Sequence, residues 1–236
     1  METQESPPVR DKARTDRQKL KEMTFGKKLE YIWDYYKYII IVAVIVAAVI
    51  GGALNVWLIN PQPRAALFVS WNSGLVTSEQ MRELSDILNE RIVEEGVNEE
   101  VVLSVTIFDA EDETVGVANA QRTVAMIAAG VIDVFIMDDN LLDANTISGF
   151  IGPMEGLLEE IKTSNPMVYE RIMENVVYRF IESEGNTLDE HILGVNIGRS
   201  PLFSKIGFTP QNLYFGISVS AGNRANTLEA LIIIFE

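Results

Sequence analysis

The stretch Val117–Met137, VANAQRTVAMIAAGVIDVFIM, decides the fold class. Val117, Val124, Ile127 and Ala128 recur at helical spacing, which predicts a helix around 117–129 with those side chains on one side. Gly130 stops it. Val131–Met137 is then a short apolar run rich in β-branched and aromatic residues, the composition of a buried strand. Asp133 interrupts that run. A carboxylate there needs a partner if buried, or caps a backbone N–H at the strand start.

Upstream, the same alternation holds. Ala65–Trp71 (AALFVSW) reads as a strand, broken by Asn72-Ser73-Gly74. Thr77 and Gln80 have capping-box spacing. Met81, Leu84, Leu88 and Ile92 then predict an amphipathic helix over 78–95, ending at Gly96. Val101–Phe108 (VVLSVTIF) is the second strand. Strands joined through helices, with connections too long for hairpins, imply βαβ units. The expected class is α/β, a mostly parallel sheet with flanking helices.

Downstream the pattern is less regular. Leu157–Ile161 reads as a short helix. Asn165-Pro166 places a cap before a first-turn proline. Tyr169, Ile172, Met173, Val176 and Phe180 predict a helix over 166–183. Ile192–Ile197 and Tyr214–Ser220 read as strands, and Asn226 as the cap of a final helix, Thr227–Phe235.

Towards the N-terminus lies Tyr38–Ile59, YIIIVAVIVAAVIGGALNVWLI, 22 residues without a charge. As a helix it spans about 33 Å, enough for a hydrocarbon core of about 30 Å. Tyr31, Trp33, Tyr35, Tyr36 and Tyr38 cluster at one end and Trp57 sits near the other, as interfacial aromatics do. Lys27, Lys28 and Lys37 precede the run, and only Arg64 follows closely. That bias puts the N-terminus in the cytoplasm and the C-terminal bulk outside. A cleaved signal peptide would need a shorter basic region and a shorter apolar core. The expected organisation is a cytoplasmic tail and juxtamembrane segment over 1–37, a transmembrane helix over 38–59, a Pro-containing linker over 60–64 and an extracytoplasmic domain over 65–236. Within 1–37, residues 24–37 are expected to form a juxtamembrane helix.

Charge follows the same division. The 236 residues carry 19 Lys+Arg and 34 Asp+Glu, for a formal charge of −15. Residues 1–37 hold nine basic and seven acidic side chains (+2), and the remainder ten and 27 (−17). So acidic a domain does not suit nucleic acid. The absence of Cys excludes disulfides, thiolate metal sites and cysteine nucleophiles. With a single His, multi-histidine sites are excluded as well.

Three segments carry a resemblance. Gln121–Asp139 (QRTVAMIAAGVIDVFIMDD), Ile151–Leu158 (IGPMEGLL) and Leu213–Phe235 (LYFGISVSAGNRANTLEALIIIF) resemble parts of type-2 extracytoplasmic solute-binding proteins. The order of elements over most of 65–236 is similar, at a length that suits one lobe of that two-lobed family. The anchor segment EYIWDYYKYIII resembles single-pass proteins of Gram-positive bacteria. The resemblance implies a solute-binding-like lobe and carries no enzymatic activity with it.

In an open parallel sheet, ligands sit beyond the carboxyl ends of the strands. The loops there supply Asn72, Ser73, Asp109, Asp138, Asp139 and Asn140 as candidate ligand-binding residues. They are hydroxyl, amide and carboxylate groups that suit a cationic or polar ligand. Ordinary polar loop composition is the simpler reading of them. Asp109, Glu111, Asp112 and Glu113 are hard oxygen donors of the kind calcium takes, but they lack EF-hand spacing and read as a solvated acidic loop. His191 has no nucleophile motif beside it and reads as structural. No metal and no cofactor is expected. The expected function is a membrane-anchored binding or accessory protein, with the bilayer and a membrane or envelope protein as partners. The alternative is a scaffold with a degenerate lobe and no small ligand. A third class, an Asp/Glu hydrolase, needs two carboxylates converging in a cleft.

Overall fold

A computed structural model describes residues 24–59, 61–72, 76–106, 113–183 and 187–236. The chain divides into two units, Met1–Gln62 and Pro63–Glu236.

In the first unit, helix α1 runs over Phe25–Leu54 and continues as a π-helical stretch, Asn55–Ile59. Ile39, Val42, Val46 and Val49 each leave half or more of their surface uncovered. A helix apolar on every side suits a lipid environment. Among the described residues one helix is long and apolar enough to cross a membrane, Tyr36–Trp57, 22 residues. That is two residues N-terminal of the expected span. The juxtamembrane segment and the span form a single helix.

The second unit is a seven-stranded mixed sheet with helices on both faces. In chain order its elements are β1 (Arg64–Trp71), α2 (Ser78–Ile92), β2 (Glu99–Val105), α3 (Glu113–Ala128), β3 (Val134–Met137), α4 (Asp139–Ile147), β4 (Ile151–Gly152), α5 (Glu155–Ser164), α6 (Pro166–Met173), β5 (Val176–Ser183), β6 (Thr187–Asn196), α7 (Pro201–Lys205), β7 (Tyr214–Ser218) and α8 (Arg224–Phe235). The strand order is β2-β1-β3-β7-β6-β5, with β4 also on β7.

The expected βαβ units form the parallel part: β1 pairs in parallel with β2 and with β3. Every other pairing is antiparallel: β3–β7, β4–β7, β5–β6 and β6–β7. The sheet is therefore mixed rather than mostly parallel. β7 takes part in three of these antiparallel pairings, and 176–183 adds the fourth by forming strand β5 and not the end of a long helix. α6 stops at Met173, where the Asn175 N–H bonds the Ile172 carbonyl at 2.8 Å and the Asn175 side chain donates to the Arg171 carbonyl. The following VVYRFI is β-branched and aromatic, and it alternates. A hairpin needs only a short connection, whereas a parallel return needs a crossover.

Period-two alternation sorts the core into two layers. Leu67, Val69 and Trp71 of β1 and Val134 and Ile136 of β3 join Leu84, Phe203, Ile233 and Phe235 in one cluster. Phe135 and Met137 face the other side with Ile127, Leu142 and Leu193. α8 lies in the first layer, and its terminal Leu231–Phe235 is buried. Burying one such side chain contributes about 1.5–3 kcal/mol, which holds this terminal helix in place.

Local signals are met where expected. Thr77 and Gln80 form a complete capping box. The Asn165 side chain accepts from Val168 N ahead of Pro166. Two details differ. Asn223 occupies the cap position of α8, and Asn226 lies inside the helix with its amide donating to the Ala66 carbonyl at 2.7 Å. On α3, Ile127 is buried, but Val117 and Val124 are about half exposed and Ala128 is exposed too. That helix is apolar on more than one side, so periodicity selects no single inward face.

Candidate functional site

The parallel strands place a topological switch point at the carboxyl ends of β1 and β3, since β2 and β3 flank β1 on opposite sides. Asn72 follows β1. Its N–H donates to the Ile136 carbonyl at 2.7 Å, and its Oδ1 accepts from Ser70 Oγ at 3.0 Å. The side chain is 6% exposed, so its polarity is spent inside the sheet end. Asp138 follows β3 and caps α4, Oδ1 accepting from Leu141 N at 3.0 Å. Asp139 lies in the first turn of α4 and Asn140 beside it is exposed. Ser73 and Asp109 lie outside the described residues, as do Gly74, Glu111 and Asp112.

Asp139 is committed to an ion pair. Arg179, on β5, reaches Asp139 Oδ1 with Nη2 at 2.8 Å and Asp143 Oδ1 with Nε at 2.6 Å. One turn of α4 separates the two acids, so one guanidinium clamps the helix to the hairpin. The same guanidinium donates to the Tyr178 carbonyl at 3.1 Å. Bonding to Asp143 holds the Arg179 pKa above its ordinary value, against burial. Tyr214 is close by. Burial, then the negative charge of Asp139, pushes its phenol upward, and Arg179 partly offsets this. Two carboxylates do converge here, but a cation sits between them. The arrangement is an ion-pair clamp.

Trp71, the last residue of β1, is fully buried. It packs edge-on to Phe203 at 6.0 Å and tilted against Phe208 at 5.7 Å. Three concavities stand out among the described residues, and none is lined by Asn72, Asp138, Asp139 or Asn140. One of about 400 Å³ lies along the polar face of α2 with Lys205. One of about 230 Å³ lies between Pro153, Ser218 and Arg224. One of about 440 Å³ is an apolar hollow on α3, between Val117, Ala120 and Val124.

The densest polar cluster belongs to Asp133. The residue is 0% exposed, and its carboxylate accepts four hydrogen bonds: Phe68 N, Gly222 N, Asn223 N and Asn223 Nδ2, all within 2.9–3.0 Å. The donors that would otherwise greet an anion at the α8 N-terminus are thus taken by an internal carboxylate. His191 Nδ1 lies 3.2 Å from Glu155 Oε1, which also accepts from Ile192 N at 2.9 Å. Burial raises the Glu155 pKa. The bonds from Ile192 N, its own N–H and His191 outweigh that and hold it below the usual range. Among the described residues, no cluster of three or more His, Asp or Glu is placed to hold a metal ion.

The hairpin β5–β6 escaped the sequence reading, and with it the Arg179 clamp. The available signal was Gly185-Asn186 between two alternating runs, a turn dipeptide. No family model matches the chain, and no curated protein matches it.

Proposed function

We propose that this chain is a single-pass membrane protein with a cytoplasmic N-terminus, and that its extracytoplasmic α/β domain docks a membrane or envelope protein. The observation that carries this reading is how the polar and apolar groups are spent. Asn72, Asp138 and Asp139 serve the fold itself, while apolar surface stays open on α3 and on the β5–β6 hairpin. Contiguous exposed apolar surface on a soluble domain marks an interaction site. A second reading, a solute-binding-like lobe, has the β1/β3 switch point in its favour, with the exposed Asn140 beside it as a ligand group.

The test is purification of the full chain from its native membrane in mild detergent. A second polypeptide in fixed stoichiometry is the outcome docking requires. Recovery of the chain alone, together with a melting temperature that rises with a small solute, would replace docking by the second reading.

A further inference from the structure

We infer that the outer face of the β5–β6 hairpin is the docking surface, and that its occupant is a basic, apolar segment of the partner in extended conformation. The inference rests on the docking reading above and specifies its site.

Cross-strand register sorts the hairpin into two faces. Arg179 pairs with His191, and both turn to the side where Asp139, Asp143 and Glu155 engage them. Tyr178 pairs with Ile192 and Phe180 with Glu190, so these four share the opposite face; Ile192 is buried in the first core layer, and the face opens from Tyr178 outward. There Tyr178 is 47% exposed and Phe180 59%, and Leu188 in β6 is 68% exposed. Among the described residues β5 ends the sheet, with a strand on one side only. An exposed edge strand is ordinarily blunted by lysine or proline, and 176–192 contains neither.

Charge selects the occupant. Glu190 lies directly across from Phe180, on the same face. The one arginine of the hairpin is turned away and neutralised by two acids. A second copy of this chain would bring Glu190 and the excess negative charge of its own domain against the same groups, which like-charge repulsion opposes. A strand that alternates apolar residues with Lys or Arg meets both demands. Its apolar side chains cover Tyr178, Phe180 and Leu188, its cations meet Glu190, and its backbone meets the open edge.

The experiment uses the full chain in its native membrane, with p-benzoylphenylalanine replacing Phe180 or, as a control, Met167, which is 77% exposed on α6. Illumination is expected to give one adduct from position 180 and none from 167. The adduct should map to a Lys/Arg-containing apolar stretch of the partner. Glu190→Lys should lower its yield about five-fold or more, while Glu159→Lys on α5 leaves it unchanged. An adduct to a second copy, an adduct on an acidic stretch, or a yield indifferent to Glu190→Lys overturns the inference. A stoichiometric partner without a position-180 adduct removes the hairpin assignment and leaves docking intact. If no partner co-purifies, docking fails and the hairpin assignment fails with it.

Discussion

Asp133 and Asn223 hold each other by two bonds. The Asn223 N–H donates to Asp133 Oδ1 at 2.9 Å, and the Asn223 amide donates to Oδ2 at 3.0 Å. Asp133 also joins three strands, because its N–H donates to the Phe68 carbonyl and its carbonyl accepts from Ser218 N. β1, β3, β7 and the start of α8 therefore meet at one side chain.

Asp133→Asn keeps the size but turns a donor group onto donors. One or more of the N–H groups of Phe68, Gly222 and Asn223 then lies buried and unpaired. Charged hydrogen bonds contribute about 1.5–3 kcal/mol each, and an unsatisfied buried donor costs about 1–3 kcal/mol. A loss of about 2–4 kcal/mol is expected, seen as a fall of about 5–15 °C in melting temperature for a domain of this size. Thermal unfolding of the full chain in detergent, followed by the fluorescence of buried Trp71, measures it. Asn223→Ala should lose less, since the backbone bond remains. Equal loss would show that the side-chain bond, not the carboxylate, holds the junction.

The Tyr214 phenol titrates above its ordinary value, through burial first and Asp139 second. A raised folded pKa means that the protonated form stabilises the fold fully below about pH 10. That stability is lost as pH rises through the folded value. Tyr214→Phe should therefore flatten the alkaline limb of the stability curve. Asp139→Asn should move the phenol back towards its ordinary value, and Arg179→Gln should move it further up. Absorbance at a phenolate wavelength, taken as the difference from Tyr214→Phe, reads both shifts. Displacement in the same direction by both variants would contradict the arrangement.

Glu155 shows the opposite sign. Its carboxylate is held below the usual range, so it stabilises the fold above about pH 4.5 and that contribution disappears as pH falls through the folded value. The effect is small, because the side chain is 45% exposed. Glu155→Gln should leave neutral stability nearly unchanged and remove part of the acid-side slope. Amide exchange at Ile192, whose N–H donates to Glu155, should quicken in the variant. Unchanged protection at Ile192 would sink this account.

The parallel half of the sheet was legible because each helix announces its ends. Thr77 with Gln80 and Gly130 are local signals whose physics needs no tertiary context. The antiparallel half was not, because Tyr169, Ile172, Met173, Val176 and Phe180 satisfy a helical period straight through the Asn175 bend. The competing signal, β-branching in 176–181, was outweighed by spacing. For α3 the difficulty was excess: a helix apolar on several sides has no unique inward face. The candidate site poses a related difficulty. Asp138 has the residue type of a ligand and also that of an N-cap, and sequence alone does not say which role the carboxylate takes. Arg179, 36 and 40 positions from its two acids, left no trace in spacing.

Topology is the remaining consequence of the charge pattern. Lys27, Lys28 and Lys37 precede the apolar stretch, against Arg64 alone close behind it, and the −17 remainder resists nothing on translocation, since acidic residues contribute little to orientation. The lack of native Cys makes a direct reading simple. Met167→Cys, at an exposed position on α6, should react with a membrane-impermeant maleimide in intact cells. A cysteine placed at Ser6, within the basic-flank segment, should react only after the cells are permeabilised. Met167 is 77% exposed, so its replacement by Cys removes little buried surface. Protection of position 167 with labelling at position 6 would invert the orientation. Labelling at both positions in intact cells would mean that the apolar helix does not separate the two segments.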